Sequence, residues 1–160
     1  MQTLRINITN AHLVNALFNQ YRMFYKQPSD IELAENFIHE RLENNESVIF
    51  LAIADDGTPA GFTQLYPSLS SVRAAKNWVL NDLFVDARHR KQGIGEGLIK
   101  AAMDFAKSQQ AAYVQLETAA DNHIAQSLYE NIGFIKQPSD DSFFVYRILV
   151  PPLGGLGGCA

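Results

Sequence analysis

The chain has 160 residues, 47% of them hydrophobic and 19% charged, with a formal net charge of -4. One domain is expected at this length, burying about 68–70% of its unfolded surface, enough for a core without disulfides or metal. The composition excludes disordered, collagen-like and disulfide-scaffold classes. No apolar run approaches the roughly 20 residues that span a bilayer, and a pI near 5.5 speaks against broad nucleic-acid backbone binding while leaving room for cationic ligands.

Cys159 is the only cysteine, one residue from the end of PLGGLGGCA. It allows no intramolecular disulfide and no cysteine zinc site, and a thiol nucleophile is not expected on so loose a segment. The expectation is a reduced compartment, most simply a cytoplasm, for a chain whose start, MQTLRINITN, lacks a signal-peptide core. Residues 151–160 hold four of the ten glycines and read as a tail beyond a single domain at 1–150.

In chain order, TLRINIT alternates Leu4, Ile6 and Ile8 with polar residues and suits a half-buried strand. Asn10 is a candidate N-cap for a helix carrying Leu13, Leu17, Phe18, Tyr21 and Phe24, which Pro28 ends. Ser29 to Glu32 has capping-box spacing before a second helix with Ile31, Ile38 and Leu42. Val48 to Ala54 and Pro59 to Tyr66 flank the turn sequence DDGTP and predict a hairpin. The polar stretch SLSSVRAAK leads to a strand over Asn77 to Asp86, and Gly93 opens a long helix with Ile94, Leu98, Ala102 and Phe105 on its apolar stripe. Ala112 to Thr118 predicts a strand, the stretch after Asn122 a helix stopped by Gly133, and Ser142 to Val150 a closing strand. The fold class is therefore α/β (α+β). A mixed, mostly antiparallel sheet of about six to seven strands holds a central parallel strand-helix-strand unit.

Chemistry concentrates at Arg90-Lys91-Gln92-Gly93-Ile94-Gly95-Glu96-Gly97, between a strand and a helix. Glycines there let a ligand approach the backbone, and first-turn N–H groups with the helix dipole make an anion site suited to a pyrophosphate. Arg88, Arg90 and Lys91 add positive charge. A tight turn with a solvated basic loop is the competing reading. The pattern GxxxxGK[ST] is absent, and GxGxxG fails because Gly97 comes one residue early. His12, His39, His89 and His123 show no metal-ligand spacing, and no metal is expected.

Arg90-x-x-Gly93-x-Gly95 matches the [QR]xxGx[GA] motif of the GNAT N-acetyltransferase superfamily. LNDLFV before it and Asn122-x-x-Ala125-x-x-Leu128-Tyr129-x-x-x-Gly133-Phe134 after it match in the right order. The chain resembles that superfamily from about Trp78 to Phe134, and FYK near Tyr25, GFTQLYP and LNDLFV look most like its polyamine and histone/polyamine branch. The resemblance implies acetyl-CoA as co-substrate and a primary amine as acceptor. It further implies cofactor contacts from Phe84, Val85, Arg90, Lys91, Gln92, Gly93, Ile94, Gly95, Glu96, Asn122 and Tyr129.

A lysine-like amine has a pKa near 10.4, so neutralising it at pH 7 costs about 4.6 kcal/mol, and a proton acceptor is needed. With no well-placed cysteine, direct attack on the thioester in a ternary complex is expected over an acyl-enzyme. The resemblance implies Tyr129 as acid for the departing thiolate and the Val85 N–H as oxyanion donor; a core tyrosine on the apolar stripe is the plainer reading of Tyr129. Asn122 is a cofactor contact or an ordinary N-cap. The glutamate base of polyamine enzymes falls on Asn81 here, which leaves Asp82 and Glu117 as candidate bases or ammonium partners.

Tyr25, Tyr66 and Asp82 are candidate acceptor contacts, with Tyr21 and Phe24 as core or channel wall. The same chemistry on a protein lysine or N-terminus, an amino acid or an aminoglycoside is the alternative, as is a non-catalytic acyl-CoA sensor. No nucleic-acid or membrane partner is expected, and the strand near Phe143 to Val150 is a candidate for pairing two copies as a homodimer.

Overall fold

A computed structural model describes residues 1–137 together with Phe144, Tyr146 and Arg147. Among these residues five strands lie side by side in chain order: β1 (Gln2–Arg5), β2 (Val48–Ile53), β3 (Pro59–Ser70), β4 (Ala75–Val85) and β5 (Val114–Gln115). Neighbours are antiparallel except β4 and β5, which are parallel. The helices are α1 (Asn15–Phe24), α2 (Ile31–Glu43), α3 (Ile94–Ser108) and α4 (His123–Ile132). The expected mixed sheet and its parallel strand-helix-strand unit, β4-α3-β5, are present. The expected closing strand at 142–150, the pairing of copies through it and the tail at 151–160 lie outside the described residues. No helix among the described residues is long and apolar enough to cross a membrane.

Both faces of the sheet are covered, which explains the unbroken apolar run of β2. Ile49 and Leu51 face α1 and α2 with Phe18, Ile38 and Phe62. Val48 and Ala52 turn to the other side, where Leu98, Ile99 and Ala102 of α3 pack. Gly61 sets how closely α3 sits. A Cβ there would come within 2.8 Å of the Phe84 carbonyl oxygen and 3.3 Å of Ile94 and Leu98.

Two expected helix starts differ from the observed ones, each because a side chain has another partner. The Asn10 oxygen accepts from the Asn7 N–H at 2.7 Å, and the Asn7 oxygen accepts from the Thr9 N–H at 2.9 Å. This local turn ends β1 at Arg5 and leaves Ile8 exposed; α1 begins only at Asn15, after a 3₁₀ turn at Ala11–Leu13. At α2 the Ser29 hydroxyl accepts from Asn19, so Asp30 caps instead, accepting from the Leu33 N–H at 3.1 Å.

The polar stretch after Tyr66 is not a connecting loop. It extends β3 to Ser70 and forms a long hairpin with β4. Conversely β5 is far shorter than Ala112 to Thr118. Asn77 holds its start, its side-chain oxygen accepting from the N–H groups of Ala112 and Tyr113 at 2.7 and 3.1 Å. Pairing then stops at Val79 and Gln115, while β4 runs on to Val85.

Candidate active site

The parting of β4 from β5 follows a bulge. Gln64 lies opposite Asp82 and Leu65 opposite Leu80, so Asn81 is an extra residue with no partner in β3. A bulge bends its strand and reverses the alternation of side chains beyond it. Before Asn81, Trp78 and Leu80 pack under α3; after it, Leu83 and Val85 do. Asp82 and Phe84 are thereby turned to the α1 face, beside Gln64 and Phe62. Beyond Val79 one edge of β4 has no strand on it among the described residues. The Asp86 N–H donates to the Ala60 carbonyl at 2.8 Å, so by alternation the Val85 N–H points away from β3, toward that open edge. The Val85 carbonyl on the same edge accepts from Arg90 Nε at 3.2 Å.

The turn into α3 has the geometry of an anion cradle. Lys91 and Gly93 adopt positive φ, 62° and 77°. Gly93 supplies no side chain to cap the helix, whose first intrahelical bond runs from the Gly97 N–H to the Gly93 carbonyl. The N–H groups of Gly93 through Glu96 have no partner among the described residues. The Ile94 side chain is buried, and Glu96 pairs with Lys100 at 3.3 Å, so each offers the cradle only its backbone. Lys91 and Gln92 are exposed. Arg88 is committed elsewhere, its guanidinium on Asp86 at 3.1 and 3.2 Å, which holds the Asp86 carboxyl below its ordinary range. Gly97 faces the flexible end of the Met1 side chain.

The far wall is α4. A Cβ at Gly95 would meet Leu128 at 3.7 Å and Val85 at 3.9 Å, so the cradle, β4 and α4 converge there. Asn122 caps α4, accepting from the Ala125 N–H at 3.1 Å. Tyr129 is half-buried and packs edge-on against Phe134. Burial raises its phenol, and the nearby Tyr25 raises it further.

Asp82 is 4% exposed. Its carboxylate accepts from Gln64 Nε2 at 2.5 Å and Asn81 Nδ2 at 2.9 Å, and Gln64 is itself held by the Ser47 hydroxyl at 2.8 Å. Tyr21 and Tyr66 share its field. Burial, then the Asp82 charge, pushes Tyr66 up to about 12 and Tyr21 well above the ordinary range. Tyr21, Phe24, Tyr25 and Phe84 form one aromatic wall, with Phe24 and Tyr25 about 60% exposed at its rim. Tyr25 lies in the electrostatic range of both Tyr21 and Tyr129, which ties the Asp82 side of the site to the α4 side.

Of the residues singled out from sequence, Tyr25, Asp82, Phe84, Val85, Arg90, Gly93, Gly95 and Tyr129 thus gather around one stretch of β4. Glu117 stands on the exposed segment just beyond β5, with no hydrogen bond or ion pair among the described residues. Sequence reasoning missed Gln64, Ser47 and Tyr21 as partners of Asp82. Only Gln64 carried a signal, a polar residue inside the apolar run of β3; Tyr21 lies on α1 and Ser47 just before β2.

The Acetyltransferase (GNAT) family description matches residues 12–134. The chain is 43% identical to a Bacillus subtilis (strain 168) protein named uncharacterized N-acetyltransferase YhfO, across 95% of this chain and 99% of the relative. A crystal structure of a probable acetyltransferase superposes with a TM-score of 0.82 at 35% identity, covering 95% of this chain and 99% of the other. An aminoglycoside N-acetyltransferase in complex with CoA shares the fold, with a TM-score of 0.76 at 20% identity, covering 92% and 93%. With its fold, its cradle and these likenesses together, the chain belongs to the GNAT family and is an N-acetyltransferase.

Proposed function

We propose that the protein transfers the acetyl group of acetyl-CoA to the primary amine of a small molecule, polyamines included, by direct attack in a ternary complex. The observation that carries this reading is the convergence, among the described residues, of an open edge of β4, an unpartnered N–H cradle and a carboxylate-to-phenol series running from Asp82 through Tyr21 and Tyr25 to Tyr129.

The residues suit acetyl-CoA. The N–H groups of Gly93 to Glu96, with Arg90 and Lys91, fit a pyrophosphate, and the open edge at Phe84 and Val85 fits an extended amide-bearing arm as an added strand would. Bound there, acetyl-CoA supplies the activated acetyl group. Val85 offers an N–H to charge developing on the acetyl oxygen, and Tyr129, kept protonated by burial, can hand a proton to the leaving sulfur. Asp82 accepts the proton that the amine must lose. The aromatic wall suits a cationic amine on an apolar stem, through burial of the stem and attraction to the ring faces.

The test is release of free thiol from acetyl-CoA across a panel of amines, including polyamines, amino acids, an aminoglycoside and a lysine peptide. A small primary amine is expected to give the highest kcat/KM, and Tyr129→Phe to lower kcat on the order of 10²-fold or more. CoA binding without turnover of any amine overturns the catalytic reading and favours a sensor.

A further inference from the structure

Asp82 cannot meet an acceptor directly. It is 4% exposed, and each carboxylate oxygen already accepts one bond, from Gln64 or Asn81, which leaves lone pairs only for a donor packed directly beside it. The group between it and the aromatic wall is Tyr21. The Tyr21 ring stands edge-on to Phe62 at 5.6 Å, Phe84 at 6.1 Å and Tyr25 at 5.1 Å, which fixes it over the α1 face of the sheet where Asp82 emerges. Asp82 and Phe84 share that face two residues apart, so the ring packed on Phe84 sits beside the carboxylate, whose charge acts on the Tyr21 phenol.

We propose that Tyr21 is a further catalytic residue, passing the acceptor's proton to Asp82, with Gln64 and Ser47 as positioning residues behind the carboxylate. This rests on the acceptor site proposed above. In the step, an N–H bond of the ammonium breaks and an O–H bond forms on Tyr21. The original Tyr21 O–H bond breaks and an O–H bond forms on Asp82. The phenol ends as it began, the amine gains its lone pair, and ammonium and carboxylate are both neutral. After product leaves, Asp82 returns the proton through Tyr21 to solvent. Discharging both ions together suits a partly dry cleft, where either charge alone is costly.

The titratable groups facing the Tyr21 hydroxyl are Asp82 from β4, Tyr66 from β3 and Tyr25 from its own helix. Burial and the Asp82 charge raise the phenol, so at neutral pH it rests protonated and serves as a shuttle; it does not rest as a phenolate base. Tyr66 also feels Asp82, but it lies in the fields of Arg41 and Glu46, whereas Tyr21 lies in that of Tyr25 on the aromatic wall. Gln64 cannot be the shuttle, because its amide donates to Asp82 while accepting from Ser47. That arrangement fixes which way the amide faces.

The experiment is the pH dependence of kcat for wild type, Tyr21→Phe, Tyr66→Phe and Asp82→Asn with the best amine of the panel. Tyr21→Phe is expected to lose on the order of 10²–10⁴-fold in kcat at pH 7, with KM for acetyl-CoA unchanged. Its rate should climb with pH toward the amine's own pKa, where no acceptor is needed. The double variant Tyr21→Phe/Asp82→Asn should be no worse than the slower single variant.

Full turnover and a wild-type profile in Tyr21→Phe, or loss of the profile in Tyr66→Phe instead, overturns the proposal and leaves the acetyltransferase reading intact. No wild-type turnover on any amine overturns both. Should the phenylalanine variant unfold, 3,5-difluorotyrosine at position 21 keeps the ring and acidifies the hydroxyl. A changed kcat–pH profile with an unchanged melting temperature then supports the role, and an unchanged profile overturns it.

Discussion

Gln64 of β3 donates to Asp82 of β4 at 2.5 Å, inside the sheet, with both side chains buried. A charge in that position needs every donor around it. Gln64→Leu removes the closest one and leaves the Ser47 hydroxyl without its acceptor. The expected cost is about 1–3 kcal/mol of stability, read from the urea midpoint, together with a loss of kcat. Ser47→Ala should cost less than Gln64→Leu on both counts.

The closeness of α3 to the sheet rests on Gly61, whose absent side chain leaves room for the Phe84 carbonyl, Ile94 and Leu98. Gly61→Ala should push the first turn of α3 away from β4 and destabilise by roughly 1–3 kcal/mol, as overpacking does. Because the cradle is that first turn, KM for acetyl-CoA should rise with it. Melting temperature and KM measured together check this.

Neighbouring arginines should behave differently. Arg88 is held by Asp86, whereas Arg90 lies on the Val85 carbonyl at the open edge of β4. Arg90→Ala is expected to weaken CoA binding roughly tenfold, about the worth of one charge-assisted hydrogen bond, and to flatten its salt dependence. Arg88→Ala should change affinity by much less. Calorimetric titration at two ionic strengths separates them.

Asp86 carries a pH signature. Its carboxyl caps the 3₁₀ turn Ala87–His89 through the Arg88 N–H and pairs with the Arg88 side chain, which lowers its proton affinity below the ordinary value of 3.8. Above that value it is ionised both folded and unfolded, and the stabilisation is whole. As pH falls below it the unfolded chain takes up the proton first, and the stabilisation is lost through the folded value. Asp86→Asn should therefore be less stable than wild type by under about 1 kcal/mol at pH 7, and the difference should shrink as pH falls below 3.8. Urea unfolding of both proteins across that range tests it.

Most of the element order is legible in the residues. The hairpin of β2 and β3, the glycine turn into α3 and the Asn122–Gly133 limits of α4 all follow from local chemistry: turn residues, first-turn donors, an N-cap and a C-terminal glycine. Where reading failed, two side chains competed for one role. Asn10 and Ser29 look like caps, but Asn10 is taken by its near neighbour Asn7 in a local turn and Ser29 by Asn19, which packing of α1 on α2 brings near.

The tertiary structure alone decided the face on which Asp82 lies. Strict alternation along NWVLNDLFVD sets Asp82 with Trp78 and Leu80 beneath α3. The single unpaired residue Asn81 reverses that phase and delivers the carboxylate to Gln64, Tyr21 and the aromatic wall. A bulge is a property of two strands in register, since an extra residue exists only relative to a partner. The sequence by itself therefore determined the family's cradle and which residues could carry chemistry; pairing across β3 and β4 decided that the Asp82 carboxylate faces Gln64 and the aromatic wall.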